Sequence, residues 1–156
     1  MSSGAQRVLI SACVAILIVG CDRSIGARVL GSLPVEIADT EPEDLKNDGF
    51  NLRDASIDGS ALHAIVVSGG GCREHGYSLT MTPATFMESY PVQANIYLRH
   101  DDHDDPCDAI VTDSVVFDLT PILQLYRQMY GPSGQINLNL YNFEQTGSTR
   151  LELQVR

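Results

Sequence analysis

In Val92-Gln93-Ala94-Asn95-Ile96-Tyr97-Leu98-Arg99 an apolar residue stands at every second position. Successive side chains of a strand point to opposite faces, so Val92, Ala94, Ile96 and Leu98 share one face and the polar residues share the other. The same period recurs elsewhere. Tyr77, Leu79 and Met81 alternate with Ser78, Thr80 and Thr82. Ile136, Leu138 and Leu140 alternate with Asn137, Asn139 and Tyr141, and Leu151, Leu153 and Val155 with Glu152 and Gln154. Alternation of this kind predicts antiparallel strands with one face inside and one face wet.

The flanking stretches extend the pattern. Asn51 to Asp58 reads as a weak strand, and Asp58-Gly59 as a turn. Ala61 to Val67 is apolar enough to predict a strand buried on both faces, broken by Ser68-Gly69-Gly70-Gly71. Ala109 to Leu119 reads as a long strand interrupted near Asp113-Ser114. One helix is expected, with Thr120 as N-cap, Pro121 at its first position and Gly131 past its end. Ile122, Leu125, Tyr126 and Met129 then share a core-facing stripe. The expected fold is mainly β: an antiparallel β-sandwich of about seven strands with one short crossover helix.

The N-terminus reads differently. Residues 8–20 (VLISACVAILIVG) run apolar for 13 residues after Arg7. A membrane-spanning helix needs about 20 such residues, whereas 13 suits the apolar region of a secretory signal. The run closes on Leu17-Ile18-Val19-Gly20-Cys21. This resembles the lipobox of bacterial lipoproteins, which implies a diacylglyceryl group on Cys21 and a mature chain beginning there. The expected organisation is a signal peptide over 1–20, a lipidated Cys with a tether and acidic lead-in over 21–49, and one β-sandwich domain over 50–156. The lead-in holds Glu41-Pro42-Glu43-Asp44, with a short helical turn expected from Pro42 to Asn47.

Charge and cysteines bound the function. The 156 residues carry a net charge of −10, from 10 basic and 20 acidic residues. Losing Arg7 with residues 1–20 makes the mature balance −11. Such acidity excludes a nucleic-acid backbone binder, which needs a basic surface. Of the four Cys, Cys13 leaves with the signal and Cys21 takes lipid, so Cys72 and Cys107 remain. In an oxidising compartment their simplest reading is a disulfide closing a 35-residue loop. A tetrahedral Zn²⁺ site from Cys72-x-x-His75 and His100-x₆-Cys107 is one alternative, and two free thiols are another.

If those cysteines pair, Gly69-Gly70-Gly71-Cys72-Arg73-Glu74-His75 lies beside the acidic loop His100 to Asp108. These segments, with "FDLTPILQLYRQMYG", resemble a group of small uncharacterised bacterial lipoproteins over roughly residues 50–142. The resemblance implies a single secreted β-sandwich-like domain and no activity.

The expectation is therefore a membrane-anchored, non-enzymatic envelope binding or structural module, with an unidentified protein or envelope partner and no resident cofactor. The alternative is a divalent-cation domain. Asp101, Asp102, Asp104, Asp105 and Asp108 offer hard oxygens for Ca²⁺, and His75, His100 and His103 could serve Zn²⁺. No G-x-S-x-G, H-E-x-x-H or P-loop motif occurs. A His–Asp pair such as His75 with Asp108 is the general base a hydrolase would draw on.

Overall fold

A computed structural model of the chain describes residues 28–29, 31–142 and 147–156. The expected signal peptide and lipid site at Cys21 lie outside those residues. Among the described residues no helix is long and apolar enough to cross a membrane.

The fold is mainly β and has two sheets. One sheet contains β4 (Asn51–Asp58), β5 (Ala61–Gly70) and β8 (Ala109–Asp118). Two short strands, β1 (Arg28–Val29) and β2 (Leu33–Pro34), line the outer edge of β8. The other sheet runs in the order β10 (Ser148–Val155), β9 (Gly134–Tyr141), β7 (Val92–Asp101), β6 (Gly76–Met81) and β3 (Glu36–Ile37). Helix α1 (Thr120–Tyr130) joins β8 to β9.

The alternating residues point inward as their period requires. Leu79, Ala94, Ile96, Leu98, Leu138 and Leu153 are all fully buried. Facing them from the other sheet are Leu62, Ala64, Val66, Val115 and Phe117. Burying one such side chain contributes about 1.5–3 kcal/mol, so this layer carries the stability of the domain.

The sheets are mixed rather than antiparallel. β7 and β9 run parallel, with Val92 opposite Ile136, because the chain between them crosses to β8 and returns through α1. Two intervening elements bring it back in its original direction, which a tight hairpin cannot do. β1 and β2 are parallel to β8, and β3 is parallel to β6. The lead-in thus contributes β1, β2 and β3 to the sandwich. Val35, between β2 and β3, is buried where the chain passes from one sheet to the other. Its amide donates to the Asp118 carbonyl, and the Ala38 amide to the Met81 carbonyl.

Four further local expectations change. β5 is buried on one face only: His63 is exposed and Ile65 and Val67 are half-buried. It also continues through Ser68 and Gly69 to Gly70, which pairs with Ala109. β8 is unbroken, because Asp113 points inward and accepts a hydrogen bond from the Tyr77 hydroxyl at 2.9 Å. At the helix start the N-cap is Leu119 and the expected cap, Thr120, is the first helical residue; Asp118 Oδ1 accepts from the Thr120 amide (2.9 Å) and hydroxyl (2.6 Å). The turn expected over 42–47 is a 3₁₀ helix over Pro42–Asp44.

Candidate functional site

The His, Asp and Cys residues singled out above meet at one end of the sandwich. There β5 ends, β6 begins, and the loop 102–108 joins β7 to β8. Gly70 and Gly71 take φ values of 139° and 111°, a region that disfavours side chains. A Cβ on Gly70 would also lie 2.5 Å from His75 Nε2.

This turn aims three successive amides at one oxygen. Gly71 N, Cys72 N and Arg73 N donate to Asp105 Oδ2 at 2.9, 2.9 and 2.8 Å. Cys107 N donates to Asp105 Oδ1 at 3.0 Å. The carboxylate sits in an anion-binding nest made by its own chain. Burial works against the charge, but the amides of Cys107, Arg73 and Cys72 and the ring of His75 hold the carboxyl well below the usual range. The disulfide between Cys72 and Cys107, Cα–Cα 5.8 Å, closes the same junction.

Behind Asp105 runs a buried polar line. His75 Nε2 is 3.3 Å from Asp105 Oδ2. An ionised carboxylate only accepts, so Nε2 carries a hydrogen on that side. Nδ1 lies 3.2 Å from the Ser68 hydroxyl and 3.0 Å from His100 Nε2. His100 is 1% exposed, stacks on Tyr77 (5.0 Å between centroids) and meets Phe50 edge-on. Burial, then the charge of His75, pushes the His100 pKa down. Burial, then the hydrogen bond to Asp113, pushes the Tyr77 phenol up.

The other predicted residues lie nearer the surface. His103 donates from Nδ1 to the Glu74 carbonyl at 2.7 Å. Asp101 Oδ1 accepts from Lys46 Nζ at 2.5 Å and from His103 N at 2.9 Å. Asp102 Oδ1 accepts from Asp104 N at 2.8 Å, and Asp102 N donates to Asp48 Oδ2 at 2.9 Å. Asp104 and Asp108 are exposed.

The structure therefore joins His75 to His100 and Cys72 to Cys107, but not as a four-ligand zinc set. The two sulfurs are bonded to each other and cannot act as thiolates. The carboxylate on His75 is Asp105 rather than Asp108. Oxygens of Asp48, Asp101 and Asp102 come within 4.8 Å of one another. The Lys46 ammonium already lies on that group, 3.4 Å from Asp48. Sequence reasoning missed Ser68, Asp48 and the Tyr77–Asp113 pair; the Gly70-Gly71 pair ahead of Cys72 was the one signal pointing to an amide nest.

A half-open cavity of about 290 Å³ adjoins this end, between the lead-in and the outer face of β6 and β7. Lys46, Ser78, Thr80, Arg99 and Asp101 line it, with His100 at its side. Arg99 is 2% exposed and donates to the Pro42 carbonyl at 2.7 Å. Burial pulls the Arg99 pKa down to about 10, against the opposing influence of Tyr97 and Glu43.

No family model and no curated protein matches the chain. Solved structures do resemble it in fold. One is a provisionally named toxin-related protein from Parabacteroides distasonis, 22% identical with a TM-score of 0.50, matching 80% of this chain and 61% of that one. A NigD-like immunity protein from Bacteroides caccae is 17% identical with a TM-score of 0.53, matching 78% of this chain and 58% of that one. A protein of unknown function, DUF1344, from Bacteroides vulgatus is 10% identical with a TM-score of 0.53, over 83% of this chain and 58% of that one. The chain spans about three-fifths of the length of these structures.

Proposed function

We propose that the protein is a bacterial lipoprotein, held on the extracytoplasmic side of a membrane by lipid on Cys21, whose sandwich is a non-catalytic binding or structural module. The observation that carries this is the 13-residue apolar run closing on Leu17-Ile18-Val19-Gly20-Cys21. Each buried CH₂ adds about 0.8 kcal/mol, so a diacylglyceryl group with a further acyl chain anchors stably. The disulfide fits an oxidising compartment.

The line Ser68–His75–Asp105 has the residue types of a hydrolase triad, and its geometry supports a structural role. In hydrolases the serine faces Nε2 and the carboxylate Nδ1. Here Ser68 faces Nδ1 and Asp105 faces Nε2. Ser68 and His75 are each 7% exposed. The three consecutive amides that could cradle an oxyanion are filled by Asp105.

Intact-mass measurement of the protein extracted from membranes tests the anchor. A chain beginning at Cys21 with diacylglyceryl mass is expected, and Cys21→Ser should abolish it. A mature chain starting elsewhere, or an unmodified Cys21, refutes the reading. Labelling of Ser68 by a fluorophosphonate would overturn the non-catalytic assignment. The cation alternative requires the melting midpoint to rise with millimolar Ca²⁺, since a ligand of the folded state alone must stabilise it. With Lys46 seated on Asp48 and Asp101, no such rise is expected.

A further inference from the structure

We infer that the outer face of β7 and β9, together with a cavity beside Tyr97, binds a neutral glycan. The inference deepens the binding-module reading, by naming a ligand class, and rests on it. β7 and β9 are interior strands of their sheet, so alternate residues point to the core and to the surface. The register sets the surface residues side by side: Gln93 beside Asn137, Asn95 beside Asn139, and Tyr97 beside Tyr141. Gln135 continues the row on β9, and Gln154 stands beside it on β10. Neighbouring strands lie about 4.8 Å apart, and the step from Gln93 to Tyr97 covers about 13 Å. These side chains form a strip of amides that ends on two tyrosines.

The strip is held by its own hydrogen bonds. Asn139 Nδ2 donates to Asn95 Oδ1 at 3.1 Å and to Gln93 Oε1 at 3.3 Å. Gln135 Nε2 donates to Asn137 Oδ1 at 3.2 Å, and Gln93 Nε2 to Ser89 Oγ at 3.3 Å. The rings of Tyr97 and Tyr141 stack with centroids 5.0 Å apart. Side chains fixed in this way lose little freedom when a ligand arrives, which favours binding. Gln93, Asn95, Gln135 and Asn137 are half-buried and still reach solvent.

The residue types select the ligand. None of the outward residues from Gln93 to Tyr97 or from Gln135 to Tyr141 is charged or aliphatic, in a chain that is 19% charged. The outward positions of β4, by contrast, hold Asp54 and Asp58. A protein partner favours an apolar centre and a nucleic acid a basic surface. The strip is neither. An amide carries donors and acceptors in one plane, and a sugar hydroxyl is likewise both donor and acceptor. The apolar C–H face of a sugar ring suits a tyrosine, which is apolar in its body and polar at its tip.

Tyr97 also walls a half-open cavity of about 300 Å³ with Thr82 and Pro83, a size that admits a small ligand. Asp39 and Glu41 line the same cavity. On β10, Arg150 beside Asn139 is balanced by Glu152 beside Asn137. With a net charge of −10 over the chain and two carboxylates at the cavity, an acidic sugar is repelled. The glycan that fits is therefore uncharged.

The full lipidated protein, reconstituted into phosphatidylcholine vesicles, is floated with fluorescein-labelled dextran, pullulan, arabinoxylan, galactomannan or mixed-linkage β-glucan. At least one should rise with the vesicles. Gln93→Glu/Asn137→Asp keeps side-chain shape but adds charge and removes donors. It should raise the half-saturating polysaccharide concentration about tenfold or more, the worth of one or two hydrogen bonds. Tyr141→Leu, which leaves the amides in place, should weaken binding in the same direction. Urea midpoints near that of the parent show that the variants are folded. His63→Ala, at an exposed position of the other sheet, should bind like the parent. Polygalacturonate should bind about tenfold more weakly or less. Floating protein that carries none of the neutral polysaccharides overturns the site and leaves the anchor intact. Equal binding by the parent and both folded variants, or by polygalacturonate, also overturns it. Failure to float, matching Cys21→Ser, overturns the anchor alone, and the same binding comparison in detergent then decides the site.

Discussion

Reducing the bond between Cys72 and Cys107 should lower the stability of the domain by about 4 kcal/mol without unfolding it outright. The bond closes a loop of 35 residues. The chain-entropy relation for that size gives about 13 cal/mol/K, or about 4 kcal/mol near 25 °C. The effect acts on the unfolded chain, because the folded junction keeps its other fasteners. Asp105 still accepts from Gly71, Cys72, Arg73 and Cys107, and β5 still pairs with β8 up to Gly70 and Ala109. Domains of this size have total stabilities of about 5–15 kcal/mol, so the core holds but with a narrow margin. Urea unfolding followed by far-UV circular dichroism, with and without reductant, measures it. With a urea slope of about 2 kcal/mol/M, the midpoint should fall by about 2 M. The Cys72→Ser/Cys107→Ser variant should superimpose on the reduced protein. An unchanged midpoint after complete alkylation of both thiols would refute the account. So would alkylation of either thiol in native protein before reduction.

Other substitutions test the same end. Gly70→Ala should cost at least about 2 kcal/mol, from its φ of 139° and the contact with His75, whereas Gly69→Ala has open space and should stay within about 1 kcal/mol. Thermal melts of the pair decide this, and equal effects would sink the assignment. Tyr77→Phe removes the donor to the buried Asp113 and should cost about 1–3 kcal/mol, read as a lowered urea midpoint. Stability should also fall on acidification in two stages. The pKa values of His100 and Asp105 are both depressed by folding, so the unfolded chain takes up protons first. The His100 contribution is complete above about pH 6.5 and is lost below it; that of Asp105 is lost below about pH 4. His100→Gln should remove the first stage and Asp105→Asn the second, as followed by urea midpoints across pH.

Much of the fold was legible because period two is a local property. It located β6, β7, β9 and β10 and the inward set Ala94, Ile96 and Leu98. Strand direction is not local. Nothing in Val92–Arg99 records that its neighbour β9 arrives through a helix and therefore runs parallel. The lead-in hid for a related reason: its pairing to β8 and β6 rests on two-residue strands around a single buried Val35. Asp113 was misread because a carboxylate inside a strand pattern looks like a break until its partner Tyr77 is known. At the site, counting cysteines made a Cys72–Cys107 bond the simplest reading, with zinc ligands or free thiols as alternatives, and the two are bonded. Choosing Asp105 among the five carboxylates of 101–108 was not open to sequence, since only the turn at Gly70-Gly71 distinguishes it.

The disulfide and the Asp105 nest fasten the same two segments, so their losses should not add. With the bond intact, removing the carboxylate frees the amides of Gly71, Cys72 and Arg73, but the loop 102–108 remains tied at Cys107 and water can reach the donors at small displacement. With the bond gone, the nest is what still ties the Cys107 side of that loop, while the His103 bond to the Glu74 carbonyl holds its other side; loss of the nest then frees the Cys107 side. His75 then loses its carboxylate partner while still buried between Ser68 and His100. A double-mutant cycle of Asp105→Ala against Cys72→Ser/Cys107→Ser should therefore give a combined loss larger than the sum of the two. Amide hydrogen exchange would place the excess at residues 70–76 and 102–109, with β7 and β9 unaffected. A strictly additive cycle would mean that the two devices hold separate structures, and the reading of this end as one closed junction would fail.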